Sequence, residues 1–259
     1  MPLQPDAPVG DVTEDAFLGD ALRVLQPARG YRAGLDAVLL AASVKVAADA
    51  RVEVLDVGAG VGVVGLCLAR RLAQVHVTLV ERDPALAALA QQNAVRNGLG
   101  DRLQVIEGDV TRPLSTLPGL KARAESFDIV VSNPPYYAME AGTLAQDAGR
   151  AAAHAMPEGM LDRWIRFMAS MARPGGRMLL VHRAEALPEL LQACRRRFGG
   201  LSVRPLYPRQ GEAANRILLE GVRGSRAPLT LGPGIVLHAP GGGFSPQVEA
   251  ALRQGAALA

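Results

Sequence analysis

Residues 52–65 read VEVLDVGAGVGVVG, and the fold follows from how this stretch is parsed. Val52–Val57 is a short apolar run, the pattern of a strand buried on both faces. Glycines follow at 58, 60, 62 and 65, and Leu66, Ala69 and Leu72 then recur at helical spacing. Strand, glycine-rich turn and helix in this order begin a βαβ unit. Gly60, Gly62 and Gly65 match G-x-G-x-x-G, the dinucleotide fingerprint. Asp56 argues against a dinucleotide. It ends the strand just before the loop, where backbone N–H groups at the helix N-terminus would hold a pyrophosphate, and a carboxylate there repels phosphate. S-adenosylmethionine (SAM) has no phosphate and carries a sulfonium and an ammonium. The phasing D-x-G-x-G-x-G, from Asp56 through Gly58 and Gly60 to Gly62, therefore favours SAM.

Downstream the alternation continues. Val75–Val80 reads as a strand. Pro84–Asn97 reads as a helix, with Asp83 at its N-cap, Pro84 at N1 and Asn97-Gly98 as its stop. Leu103–Ile106 and Ile129–Val131 read as strands, and residues 111–125 between them as an irregular loop. Met160–Met171 is helical and closed by Pro174-Gly175-Gly176; Met178–Val181 is a strand and Glu185–Arg197 a helix. This predicts an α/β fold, a Rossmann-like, mostly parallel sheet with helices on both faces. The tail differs. Leu201–Leu206 and Ile217–Val222 are strand-like with no helix between them, an antiparallel pair joined by the loop Tyr207–Asn215, and Ile235–His238 is a further β-like piece. Ahead of the glycine loop stand a hairpin around Phe17–Gln26 and a helix from about Asp36 to Val46. With no internal repeat and no low-complexity linker, one domain over residues 1–259 is expected, with extensions at 1–50 and 224–259.

Acids recur where ligands bind. The second strand ends at Glu81, 19 residues after Gly62, where a carboxylate can accept both ribose hydroxyls. The third ends in IEGDV, and Asp109 can accept from an adenine amine. The fourth ends in Asn133-Pro134-Pro135-Tyr136. An exocyclic amine is a poor nucleophile because its lone pair is delocalised into the ring. Two acceptors on its two hydrogens pull the nitrogen toward tetrahedral geometry. Asn133 offers a side-chain oxygen and Pro134 a backbone carbonyl, with no N–H at Pro134 to compete. Pro135 biases Pro134 to an extended conformation, and Tyr136 offers a ring for stacking on a planar base. The pattern suits adenine, guanine, cytosine or glutamine and does not choose among them.

LDVGAGVG, LVERDP, IEGDV and NPPY, in this order and spacing, resemble a class I SAM-dependent methyltransferase over roughly residues 30–223. The resemblance implies a seven-stranded sheet whose last two strands form an antiparallel pair, SAM as cofactor and S-adenosyl-L-homocysteine as product. It also places Arg82 and Val110, neighbours of Glu81 and Asp109, at the cofactor. GYRAGLDAVLLAAS at 30–43, GEAANRILLEG at 211–221 and LHAPGGGFSPQVEAAL at 237–252 further resemble the bacterial tRNA adenine-N(6) methyltransferases that modify the adenine beside the anticodon of valine tRNA. That family sets the segment from Tyr31 to Asp36 against the cofactor. Asp36 then meets the methionine end, caps the helix, or does both. RAAAH, Arg150–His154, is similar to a basic loop in these enzymes, which makes Arg150 and His154 candidates for RNA contact.

The charge distribution agrees with a polyanionic partner. Residues 171–259 hold 12 Arg against 5 acidic residues, net +7, whereas residues 1–170 are net −4. Arg195, Arg196, Arg197, Arg204, Arg209 and Arg216 are candidates for tRNA phosphates. Cys67 and Cys194 fit no metal-ligand spacing and read as buried small hydrophobes in a reduced, cytoplasmic protein. No metal is implied. No apolar run approaches the ~18 residues of a membrane span, and the polar, acidic N-terminus is unlike a signal peptide. DNA methylation would need a target-recognition domain, and release-factor glutamine methylation a helical substrate domain ahead of the loop; about 50 residues precede it here. A non-catalytic RNA-binding module would leave the acidic pocket and NPPY without purpose.

Overall fold

A computed structural model describes residues 11–30, 32–47, 51–135 and 159–258. The sheet strands are β3 (Val52–Val57), β4 (Val75–Glu81), β5 (Leu103–Glu107), β6 (Phe127–Ser132), β7 (Ala172–Arg183), β8 (Phe198–Tyr207), β9 (Arg216–Arg223), β10 (Thr230–Leu231) and β11 (Ile235–Val236), after a separate hairpin of β1 (Val12–Phe17) and β2 (Leu22–Pro27). Their order is β10-β8-β9-β7-β6-β3-β4-β5, with β11 also on β8. The sheet is mostly parallel, and β9 runs antiparallel to both β7 and β8. Among the described residues the sheet has nine strands where seven were expected. The two additions are pairs of residues, Thr230-Leu231 and Ile235-Val236, laid parallel on the outer edge of β8. They cover part of an edge that would otherwise expose unpaired backbone groups.

Strand alternation splits the core into two layers. Val54, Val77, Leu79, Ile129, Val131, Leu179 and Val181 pack under the helices Leu35–Ser43, Val63–Arg71 and Pro84–Arg96. Leu55, Val57, Val80, Val130, Met178 and Leu180 face the other way, against the helices Met160–Met171 and Leu187–Cys194. The helix Pro84–Arg96 starts as expected: Asp83 Oδ1 accepts from the N–H of Ala85 at 2.8 Å and of Leu86 at 3.3 Å, and Asn97 and Gly98 (φ 65°) end it.

Several boundaries differ from the sequence reading; among them the helix of about Asp36–Val46 is Leu35–Ser43 and the strand Leu201–Leu206 is Phe198–Tyr207. The stretch 111–125 contains the helical turns Leu114–Thr116 and Pro118–Lys121, because Leu120 is fully buried and needs a docked turn to present it. The helix expected over 185–197 is a 3-10 turn followed by Leu187–Cys194, and Arg196 has φ 66°, which no helix continues through. β7 begins before the Pro-Gly-Gly turn, with a register shift against β6.

The first and last described segments pack onto the sheet layers. Asn93, fully buried, accepts from Leu25 N at 2.8 Å and donates to Leu25 O at 3.0 Å, and Asn97 does the same for Arg23. The two amides stand in for a strand along the edge of β2. At the other end, the helix Pro246–Gln254 buries Val248 and Ala251 in the first core layer, and Leu258 N bonds Ala42 O at 3.0 Å.

Candidate active site

The carboxyl ends of β3, β4, β5 and β6 lie level, because Val57 pairs with both Val80 and Ser132, and Glu81 pairs with Glu107. The chain winds from β3 through β4 to β5 on one side and returns as β6 on the other. Sheets of this kind bind ligands at that reversal. The glycine loop, Arg82, Asp109 and Asn133 therefore meet at one edge.

The loop is held by strand ends and one acid. Gly58 and Ala59 both donate to Val80 O at 2.9 Å. Glu81 is 8% exposed, and its Oε2 accepts from Gly60 N at 2.8 Å while Oε1 accepts from Asp83 N at 2.9 Å. A side chain at Gly65 would collide with Leu79, so helix and strand pack closely only with glycine there. Asp56 lies beneath the loop rather than on its accessible surface. It is 1% exposed, shares the face of Val54, and accepts from Gly65 N at 3.2 Å through Oδ2. Burial pushes its carboxyl up to about 7; the Gly65 N–H works against the rise and the Glu81 charge adds to it.

Beyond β5 a cleft of about 340 Å³ is lined by Arg82, Gly108, Asp109, Arg112 and Thr116. Asp109 Oδ1 accepts from Thr111 N at 2.9 Å and Thr111 Oγ1 at 2.6 Å. Burial works to raise its pKa, but these bonds and the charges of Arg82 and Arg112 hold the carboxyl below the ordinary carboxylate range. Val110 is buried in the second core layer behind it. An adenosine group offers hydroxyls and an amine, all donors, so a site whose successive strand ends carry acceptors fits SAM.

On the other side of β3, Asn133 is half-buried, Pro134 buried and Pro135 half-buried. They leave β6 directly after Ser132, which is fully buried. The Ser132 hydroxyl lies 2.8 Å from Val57 O and accepts from Trp164 Nε1 at 2.9 Å. The Trp164 ring also closes on the loop: a Cβ at Gly58, where φ is 70°, would stand 2.6 Å from Cζ2. Sequence reasoning did not single out Ser132 or Trp164. Their only signals are that Ser132 shares the buried face of Val130 and that Trp164 is the chain's single tryptophan.

Asp36 is the second residue of the helix Leu35–Ser43, whose N-cap is Gly34. Its Oδ2 lies 3.2 Å from Arg216 Nε. The arginine candidates divide between opposite edges. β8 runs in the direction of β3, because β9 reverses between β7 and β8. Arg195, Arg196 and Arg197 precede β8 and so sit at the amino edge, with Arg197 bonded to Asp162 at 2.6 Å. Arg204 is half-buried within β8. Arg209 and Arg216 flank the β8–β9 connection at the same edge as Asn133. Tyr31, Tyr136, Arg150 and His154 lie outside the described residues.

Cys67 and Cys194 are buried, and burial pushes both thiols up to about 12, so neither is a nucleophile. Among the described residues no His/Cys/Asp/Glu group could hold a metal, and no helix is long and apolar enough to cross a membrane.

The family model of the methyltransferase small domain matches residues 35–194. A tRNA1(Val) (adenine(37)-N6)-methyltransferase of Porphyromonas gingivalis is 31% identical over 178 residues, 68% of each chain. A release factor glutamine methyltransferase of Geobacter sulfurreducens is 41% identical over 83 residues, 32% of this chain and 26% of that one. Among solved structures, one from Agrobacterium tumefaciens described as a predicted O-methyltransferase superposes with a TM-score of 0.71 at 32% identity, covering 86% of this chain and 98% of that one.

Proposed function

The chain belongs to the methyltransferase small domain family and uses SAM, and on that premise we propose that it methylates the exocyclic amine of an adenine in tRNA. The purine beside the anticodon of valine tRNA is the proposed target, as in the name of the Porphyromonas relative. The observation that carries the reading is the placement of Asn133 and Pro134. They leave a buried strand beside the start of the glycine loop, where Ser132 pairs with Val57.

SAM would supply an electrophilic methyl group on its sulfonium. In this reading Glu81 and Asp109 accept from its adenosine. Asn133 Oδ1 and the Pro134 carbonyl accept the two hydrogens of the adenine amine. Those bonds localise the nitrogen lone pair and orient it for in-line attack. Pro134 has no N–H to fill the same space, and Tyr136 stacks on the base. The nitrogen becomes acidic once methylated and loses its proton to solvent, so no side chain need act as a strong base. An anticodon-loop purine is already unpaired, which lowers the cost of extruding it. Arg209 and Arg216, at the edge of Asn133, are the proposed phosphate contacts near the site; Arg195 and Arg196 reach only RNA that runs along β8 to the opposite edge.

A glutamine amide is also planar with two hydrogens, and the 83 residues similar to a release factor enzyme keep that reading in play. One experiment separates the possibilities: transfer from labelled SAM to total tRNA and, in parallel, to release factors, followed by nucleoside and peptide analysis. N6-methyladenosine in tRNA is the expected product. Label found only on protein glutamine, or only on a nucleoside oxygen, would overturn the proposal.

A further inference from the structure

The bridge between the glycine loop and the Asn-Pro-Pro segment has a defined direction. An indole N–H can only donate, so the Ser132 hydroxyl must accept from Trp164. Its own proton is then left for the Val57 carbonyl at 2.8 Å. Val57 and Ser132 are cross-strand partners and the last residues of β3 and β6. The next residue on one side is Gly58, and on the other it is Asn133.

The same indole is in contact with the loop. A Cβ at Gly58 would stand 2.6 Å from Trp164 Cζ2 and 2.9 Å from Cη2, so the ring fills the space a side chain would take. Trp164 is 7% exposed and its helix packs in the second core layer with Ile165 and Met168, both fully buried. A core-anchored ring thus touches the loop with its edge and the end of β6 with its N–H.

We infer that Ser132 and Trp164 are positioning residues that set the separation between the glycine loop and the Asn133–Pro134 acceptors, and through it the rate of methyl transfer. The inference rests on the reading of Asn133 and Pro134 as amine acceptors. Neither bridging side chain is placed to touch the methyl group or the amine. In-line transfer is sensitive to displacements of the reacting atoms on the order of 1 Å, which can cost about a hundredfold in rate. A shift of one strand end against the other acts on that distance while leaving the acceptors for adenosine in place. The effect therefore falls on kcat rather than on cofactor affinity.

The test uses the full chain and the variants Ser132→Ala, Trp164→Phe and their double. SAM affinity is measured by calorimetry, kcat and KM on total tRNA, and the indole N–H resonance of the single tryptophan by NMR. Each single variant is expected to lower kcat at least about tenfold while the Kd for SAM stays within about threefold. The double is expected to match the worse single, as for residues acting as one unit. In the wild type, adding SAM is expected to shift the indole resonance, because the ring touches the loop. A kcat within about twofold of wild type in both singles overturns the inference, and so does an indole resonance that SAM leaves unmoved. A wild-type chain that methylates no tRNA tells against the RNA substrate instead, and the indole shift still decides the bridge.

Discussion

Arg216 Nε stands 3.2 Å from Asp36 Oδ2, joining two residues 180 positions apart at the carboxyl edge of the sheet. The sequence assigned them to different ligands, Asp36 to the cofactor and Arg216 to RNA. Both side chains are more than two-thirds buried, at 22% and 29% exposure. The guanidinium therefore orients the carboxylate as much as it neutralises it. Arg216→Ala is expected to raise the Kd for SAM about three- to tenfold in addition to any loss of RNA affinity. Calorimetry with SAM alone checks it, and an unchanged Kd would detach Asp36 from the cofactor site.

Asn133→Ala removes one of the two proposed acceptors and leaves the glycine loop, Glu81 and Asp109 intact. SAM binding should stay within about threefold of wild type. Turnover on tRNA should fall by about a hundredfold or more, the scale seen when one donor or acceptor aimed at a reacting group is lost. Near-normal turnover in a single-turnover assay would remove Asn133 from the chemistry.

Asp56 makes stability depend on pH in a direction unusual for a carboxylate. Its pKa is about 7 in the folded chain against the ordinary aspartate value of 3.8, so the folded state binds the extra proton between those values. Its contribution is most favourable at acid pH and is lost as pH rises through about 7. Above that, keeping the carboxylate buried costs up to about 4 kcal/mol. Asp56→Asn stays neutral and can still accept from Gly65. Thermal melts should show the variant more stable than wild type at pH 8, with the gap narrowing as pH falls below about 7 and closing only near pH 4. A gap independent of pH would show that Asp56 does not titrate in this range.

The two edges of the sheet give a test for RNA. Arg209→Ala should weaken tRNA binding and reduce the slope of log affinity against log salt by about one. Arg195→Ala, at the opposite edge, should leave the affinity for an isolated anticodon stem-loop unchanged. Equal losses from both would mean that the RNA runs along the whole of β8.

Much of the fold is legible because its signals are local. Asp83, Pro84, Asn97 and Gly98 mark the ends of one helix through their own backbone chemistry, and the structure places those ends as read. The apolar runs of β3, β4 and β6 belong to strands covered on both faces. β10 was not legible in the sequence, and β11 was read only as a β-like piece over Ile235–His238 with no place in the sheet. Each is two residues long, and Leu231 is 74% exposed, so neither carries a periodic apolar signal. Their pairing is decided by the free edge of β8.

At the site the division is similar. The order Asp56, glycine loop, Glu81, Asp109 and Asn133 is written along the chain, since each residue sits at a fixed offset from the end of its strand. Only the tertiary structure decided which way those residues act. Asp56 shares the parity of Val54, so its carboxylate is buried under a helix and meets the loop from below. The Ser132–Trp164 bond spans 32 positions, the Asn93 contacts with the hairpin 68, and Asp36 with Arg216 180. A hydrogen bond of that kind depends on how two elements pack, and no local pattern records it. The sequence by itself determined the alternating sheet, the glycine loop after β3 and the Asn-Pro-Pro turn after β6, because strand period, turn chemistry and caps act over a few residues. Packing decided what clamps the loop, which arginines share the edge of Asn133, and where Asp56 points, because those depend on side chains brought together from distant parts of the chain.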